Sequence, residues 1–184
     1  VLEHHGFYFV KGKTQLVVKE RQRRQKHARH MWFMARLSMH AIKRFPFVRG
    51  VLVSGDLSKN ATHAHSDVDF FIITEPHRLW ITRSLLILFK KVFLLNRKKF
   101  FCLNYFATTD HLTLDEQNVF LATEVATLKP LYNSSLFYRY LEANSWIKKL
   151  FPNFDLRLIS LPVVNERQSI IQKLLELPFS LFNA

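Results

Sequence analysis

Two acidic side chains stand one residue apart at the start of an apolar run. Asp67 and Asp69 open a segment that continues as Phe70–Ile73. Because the side chains of a strand alternate between its two faces, a strand here puts both carboxylates on one face. Neighbouring carboxylates repel each other unless a cation lies between them, and Mg²⁺ binds such oxygens together with substrate phosphates. The pair therefore predicts a magnesium site formed by Asp67 and Asp69.

A turn of a size that suits phosphate groups precedes this pair along the chain. The apolar run Val51–Val53 ends at Ser54-Gly55, and a polar loop leads from there to the aspartates. Apolar residues on both faces of the flanking segments predict central strands over Phe47–Ser54 and Asp67–Thr74. The turn and the carboxylate pair thus belong to one strand–loop–strand unit.

The elements around this unit predict a mixed α/β fold with a small sheet. Apolar positions at helical spacing predict a long helix over Lys19–Phe45, which Pro46 ends. Leu79–Leu95 is typical of a second helix, and Phe100–Thr108 of a third strand. Residues 19–112 therefore form the expected central domain.

A short hairpin is expected before this domain. Phe7–Val10 and Thr14–Val18 predict two strands joined by Lys11-Gly12-Lys13. Residues 1–18 would then be the remnant of a truncated winged-helix domain. Because the chain starts at Val1, close to this strand, we expect a piece of a longer protein.

The segment 113–184 is expected to form a helical subdomain. Thr113 and Glu116 match a capping box, which predicts a helix towards Lys129. Further helices are predicted from Ser134 or Ser135 to about Leu150, and from Asn165 to about Leu177.

Charge and cysteine content narrow the class of partner and the compartment. The 184 residues carry a net charge of +13, which favours polyanionic partners such as nucleoside triphosphates, nucleic acid or an anionic membrane surface. The basic segment Lys19–Arg29 is either a solvated helix face or a nucleic-acid contact. A single cysteine, Cys102, excludes a disulfide framework and favours the cytoplasm, and we expect it to be an inert core thiol. The basic residues within Leu79–Leu95 argue against a membrane span.

The unit around Gly55 resembles the nucleotidyltransferase superfamily of the DNA polymerase beta type. That family has a strand, a Gly-Ser turn with an apolar, a small and a basic residue, a loop, and Asp-x-Asp opening the next strand. Here Gly55 stands at the glycine, Leu57-Ser58-Lys59 follow in that order, and Asp67 and Asp69 form the pair. The resemblance covers roughly Phe47 to Thr108. The sequence of the motif is also similar to that of a bacterial group of uncharacterised nucleotidyltransferase-domain proteins.

The resemblance implies transfer of a nucleoside monophosphate from a triphosphate, with ATP the expected donor. Two Mg²⁺ ions would assist, pyrophosphate would leave, and the acceptor would be a small-molecule hydroxyl or a protein side chain. Asp67 and Asp69 would be the catalytic metal ligands. The nucleotide-binding residues would be Ser54, Gly55, Ser58 and Lys59.

Three departures from the family pattern bear on activity. Asp56 stands where the family has serine, and a carboxylate there would repel a triphosphate unless it turns away or takes a metal. Asn60 replaces a glycine. The third strand offers Asn104 instead of the third carboxylate, so that Asp110 or Glu124 would have to supply it. These departures favour an alternative, a catalytically weakened module that binds nucleotide or nucleic acid and regulates.

A rival metal site remains in the same loop. His63, His65, Asp67 and Asp69 alternate, and an extended segment would put them on one face, where they would suit Zn²⁺ or Mn²⁺. If the strand does not reach back that far, the two histidines are solvated loop residues, and we prefer that interpretation.

Overall fold

A computed structural model of the chain describes residues 1–4, 6–10, 16–96, 99–155 and 168–180. The N-terminal part begins with a hairpin in which strand β1 (Leu2–His4) pairs antiparallel with β2 (Phe7–Phe9). Helix α1 then runs over Leu16–Ile42. The expected second hairpin strand, Thr14–Val18, is wrong from Leu16 onward, because Leu16–Val18 form the first turn of α1 and Val18 is the first residue that this helix buries. Residues 11–15, which include its connection Lys11–Lys13, lie outside the described residues.

A four-stranded sheet forms the centre of the described chain. Its strands are β3 (Val48–Ser54), β4 (Asp69–Thr74), β5 (Cys102–Thr108) and β6 (Lys129–Tyr132), in the order β5-β4-β3-β6. β3 pairs antiparallel with β4 and β6, whereas β4 and β5 are parallel. The parallel pair is joined by helix α3 (Leu79–Phe93), as a parallel connection requires. The mixed α/β fold class is confirmed.

Helices cover both faces of this sheet, and the period of two in the strands decides which face each residue joins. One cluster joins α1 and α3 to the sheet through residues such as Met31, Val53 and Phe70. The second cluster contains Leu52 and Phe71, the neighbours of those strand residues, and lies under the C-terminal helices. Burial on both faces explains why β3 and β4 are almost continuously apolar.

The segment 113–184 was expected to be helical throughout, but it also contains a strand. Helix α4 (Val119–Thr127) is followed by β6, then α5 (Ser134–Ala143), a 3₁₀ helix (Ser145–Lys149) and α6 (Ile170–Ser180). β6 is too short to stand out in the sequence, and it gains its partners only by pairing with β3.

Two expected helix ends in this segment are also wrong. The Thr113 capping box is not used; α4 begins later, where the Asn118 side chain accepts a hydrogen bond from the Leu121 amide. α6 continues through Pro178 to Ser180; the proline lacks only its own N–H donor, and the helix ends two residues after it. Asn165, the expected cap of this helix, lies outside the described residues.

Within the described part of the chain, none of the helices has the length and apolar character needed to cross a membrane.

Candidate functional site

The turn after β3 requires glycine. Gly55 has a φ of +67°, and a Cβ atom there would lie 2.4 Å from Oδ2 of Asp69. Ser54 and Asp69 are partners in the β3–β4 register, so the turn begins directly beside the carboxylate pair. The short helix α2 (Gly55–Ser58) then carries the chain away. The pairing of β3 with β4 thus places the turn beside Asp69.

The two aspartates flank a buried valine at the start of β4. β4 begins at Asp69, two residues later than expected, but the Val68 amide donates to the Lys99 carbonyl and the Val68 carbonyl accepts from the Cys102 amide. Val68 is buried, whereas Asp67 and Asp69 remain accessible in part. The alternation expected for this pair therefore holds although Asp67 precedes the strand.

Asp69 lies in an unfavourable electrostatic environment. Burial raises the pKa of Asp69, a hydrogen bond with Cys102 lowers it, and the charges of Asp67, Asp56 and Glu124 raise it further. The net pKa is above the ordinary aspartate value. A cation at this position would relieve the repulsion among these carboxylates.

Cys102 belongs to this site, although we expected only a core thiol. It opens β5 opposite Asp69 in the parallel register. Burial and the hydrogen bond with Asp69 raise the pKa of the thiol to about 11, so it stays protonated and unreactive at neutral pH. Its chemical inertness is thus in line with expectation, while its contact with Asp69 gives it a positioning role.

The third carboxylate near the pair comes from α4. Glu124 Oε1 lies 2.7 Å from Nζ of Lys59, and Glu124 Oε2 accepts from the Gly55 amide at 3.3 Å. Asp69 faces the same side of the sheet as Phe71, which packs in the cluster under α4. α4 therefore brings Glu124 to the turn, and this carboxylate occupies the two donors that were predicted for phosphate.

Asp110, the other candidate for the third carboxylate, is elsewhere. Its pKa is lowered by Thr108 and by the charges of His77 and His111, which lie near the end of β5. Since β4 and β5 are parallel, Asp110 lies at the edge of the sheet opposite Asp69. Asn104 sits at a register shift in β5 and lines a cavity together with Ser54 and Glu124.

The two serines of the turn differ in availability. Ser58 Oγ donates to the Gly55 carbonyl at 2.8 Å and is buried, so its hydroxyl closes the turn. Ser54 Oγ is also buried, and within the described residues it has no hydrogen-bond partner. A buried hydroxyl without a partner is costly and often marks a ligand position. Ser54 is therefore the serine that could contact a bound group.

The carboxylate of Asp56 is bound by the loop that follows the turn. Its Oδ2 accepts from Ser66 Oγ at 2.7 Å and lies 3.5 Å from Nε2 of His63. His63 and His65 are exposed in a loop that is not a strand. The alternating four-residue metal site thus lacks the extended backbone it requires, and Asp56 has a structural role in the loop.

The basic N-terminal half of α1 holds the turn in place. Arg21 donates to the carbonyl oxygens of Lys59 and Asn60, and Nε1 of Trp32 donates to Oδ1 of Asn60 at 2.7 Å. Asn60 has a φ of +52°, a left-handed conformation that asparagine tolerates in place of glycine. The sequence pattern marked Arg21 as basic but carried no signal of this contact, since the partners lie 38 and 39 residues away.

An apolar cavity of about 260 Å³ opens beside these groups. Ser54, Asn104 and Glu124 line it on one side, and its walls include Phe71 and Tyr140. The aromatic walls could take a planar ring next to the carboxylates.

The donor set fits magnesium better than a metal that is held by protein alone. Among the described residues, no group of three or more His, Cys, Asp or Glu side chains is arranged to hold a metal ion. Mg²⁺ usually keeps several waters and binds through one or two carboxylates plus phosphates. The Asp67/Asp69 pair, the partnerless Ser54 hydroxyl and the glycine cradle at Gly55 fit such a site.

Comparison with known proteins leaves the assignment to the site itself. No family model matches the chain, and a search of curated proteins finds no match either.

Proposed function

We propose that the chain is a nucleotidyltransferase that moves a nucleoside monophosphate from a triphosphate to an acceptor hydroxyl. The observation that carries this proposal is the close approach of the Gly55 turn to the Asp69 carboxylate. A phosphate that is bound by the turn would lie beside a carboxylate pair that needs a cation. ATP is the expected donor, and the cytoplasm, where triphosphates are abundant, is the expected compartment.

In this proposal Asp67 and Asp69 would hold magnesium, which when bound would neutralise charge on the phosphates and on the leaving pyrophosphate. The Gly55 amide and the Lys59 ammonium bind the phosphate tail. Both donors exchange Glu124 for phosphate oxygens, so nucleotide binding releases the Glu124 carboxylate. The aromatic cavity beside Ser54 takes the base or a flat acceptor.

The proposed reaction is an in-line displacement. The acceptor oxygen forms a bond to the α-phosphorus, the bond from that phosphorus to the bridging oxygen breaks, and pyrophosphate leaves with the bond electrons. The proton of the acceptor hydroxyl passes to the released Glu124 carboxylate. Positioning and charge carry most of the rate enhancement, because the protein forms no covalent bond.

Transfer of the α-phosphoryl group is the test. ATP labelled on the α-phosphate should pass its label to an acceptor in a small-molecule or protein extract, whereas γ-labelled ATP should release labelled pyrophosphate only. Asp67→Asn and Asp69→Asn should abolish the transfer, and Glu142→Gln, which removes an exposed charge on α5, should leave it intact. Transfer of the γ-label, or transfer that survives both aspartate changes, contradicts the proposal.

A second function, regulation by nucleotide binding without turnover, is favoured by one observation. Asn104 on β5 stands where a third carboxylate was expected, and an amide cannot act as a base. Under this alternative the wild-type chain binds ATP with Mg²⁺, but no acceptor extract yields α-labelled product.

A further inference from the structure

A groove of about 490 Å³ lies between α1 and β6, beside the candidate site. Trp32 and Arg36 line it from α1, Lys129 and Pro130 line it from β6, and Ser58 and Asn60 close one end. Apolar ring surface and two cations thus face the same open space. None of these side chains belongs to the Asp67, Asp69 and Glu124 group.

The indole of Trp32 is a fixed element of this groove. Its Nε1 donates to Asn60 Oδ1 at 2.7 Å, and Asn60 is itself held by Arg21 through its carbonyl. An aromatic ring that is already ordered loses little conformational entropy when a ligand stacks on it. Trp32 therefore has the properties of a stacking platform.

The charge along α1 continues beyond the groove. The chain has no Asp or Glu between Glu20 and Asp56. At 3.6 residues per turn, Arg29 and Arg36 fall on the same stripe of α1 as Trp32, and Lys43 continues this stripe just after the helix ends. The stripe extends over about 20 Å at 1.5 Å per residue. A ligand with several evenly spaced negative charges matches it better than a single phosphate.

We propose that this groove binds single-stranded nucleic acid, with a base stacked on Trp32 and the backbone phosphates on Arg36 and Lys129. Base stacking on aromatic rings together with a basic groove is the general mode of single-strand recognition. A flat anionic membrane fits less well, because the ring lies in a groove and not on a convex surface. The inference is independent of the proposed transfer reaction, since it uses none of its carboxylates.

Fluorescence anisotropy with a labelled oligo(dT) of about 20 nucleotides tests the proposal in the full chain. Arg36→Gln with Lys129→Gln should weaken binding and lower the salt dependence by a log–log slope of about 1.4, or about 0.7 for each phosphate that is no longer neutralised. Lys148→Gln with Lys149→Gln removes the same charge from the exposed 3₁₀ helix and should leave the slope unchanged.

Variants at Trp32 separate stacking from structure. Trp32→Leu should weaken binding roughly 5- to 100-fold, because it removes the ring. Trp32→Phe keeps a ring but loses the hydrogen bond to Asn60, and it should bind within about threefold of wild type. In wild type, binding of oligo(dT) should also quench the fluorescence of Trp32. This quenching should be absent in Trp32→Leu and Trp32→Phe.

Several outcomes would overturn this assignment. They are the absence of oligo(dT) binding, an equal effect of the two charge-matched pairs, and equal affinity of Trp32→Leu and wild type. Vesicles of phosphatidylcholine with phosphatidylserine provide the last arm. If they compete for the protein through Arg36 and Lys129 while oligo(dT) does not, the groove is a lipid site.

Discussion

Replacing Glu124 by glutamine separates nucleotide binding from turnover in the proposed reaction. In the folded chain its carboxylate pairs with Lys59 at 2.7 Å and accepts from the Gly55 amide. A triphosphate must displace it from both. Glutamine keeps the size of the side chain but removes the charge, so the phosphates meet an uncommitted Lys59 and no neighbouring negative charge from α4.

The size of the effect follows from the geometry. Two unit charges 4 Å apart interact by about 4 kcal/mol at an effective dielectric constant of 20. The side chains of Lys59 and Glu124 are 31% and 26% exposed, and pairs near the surface retain only about 1 kcal/mol. Together with the relief of repulsion we expect a gain of about 1–2 kcal/mol, or roughly 5- to 30-fold tighter ATP binding.

Isothermal titration calorimetry with MgATP measures this gain in affinity, and transfer of the α-phosphate label from ATP measures turnover. Glu124→Gln should bind ATP more tightly yet transfer at least about 100-fold more slowly, because glutamine cannot accept the acceptor proton. Glu142→Gln is the control for removal of a negative charge. Unchanged or weaker ATP binding by Glu124→Gln would refute the view that Glu124 occupies the phosphate donors.

Three further predictions concern stability. Gly55→Ala should destabilise the fold by about 2–3 kcal/mol in urea unfolding, since the new Cβ meets the Asp69 carboxylate at 2.4 Å. The control is Gly6→Ala, where φ is +77° but the space around the new Cβ is open, and it should cost only about 1 kcal/mol. Equal losses of stability in the two variants would contradict the contact between residue 55 and Asp69. Asp69→Asn should raise the melting temperature at neutral pH by roughly 1–3 °C. Because the pKa of Asp69 is higher in the folded chain than in the unfolded chain, wild type loses stability as the pH rises from the unfolded pKa through the folded one. The gain in melting temperature of Asp69→Asn must therefore vanish at acidic pH, where Asp69 is protonated in both states. A gain that does not depend on pH would contradict the raised pKa. Glu176→Ala should release α6 and speed hydrogen exchange of its amides, because it removes a partner of a mostly buried arginine on β3; Lys173→Ala on the same helix should not.

The Glu176 contact illustrates how α6 departs from a simple amphipathic helix. It docks through polar side chains: Glu176 pairs with Arg49 at 2.9 Å, and Gln172 donates to the Val48 carbonyl at 2.7 Å. Most of its apolar residues, including Ile170 and Leu174, are exposed, and Phe179 contacts the ring of Phe47. A surface helix usually buries its apolar face, and only the fold shows that α6 packs mainly through polar side chains.

Aromatic residues were also harder to place from the sequence than aliphatic ones. Trp80 is 73% exposed, with Arg83 above its ring. Trp32 packs partly against the core but also bonds to Asn60. Composition cannot separate these cases, because burial of an aromatic ring depends on which element covers it.

The central strands and the carboxylate pair could be predicted because local rules determine them. The alternation of Asp67, Val68 and Asp69, the glycine at Gly55 and the apolar runs around them each have a meaning within a few residues. These local features place the two strands and the turn between them, so the sequence by itself determined the strand–turn–strand unit.

Only the tertiary structure decided the partners of that unit. Glu124 reaches the turn because α4 packs across the sheet, Asp110 lies away because β5 runs parallel to β4, and Cys102 meets Asp69 through the same register. Asp56, a threat to phosphate binding in the sequence, turns to Ser66 in the fold. These contacts join residues that are distant along the chain, and no local periodicity encodes them.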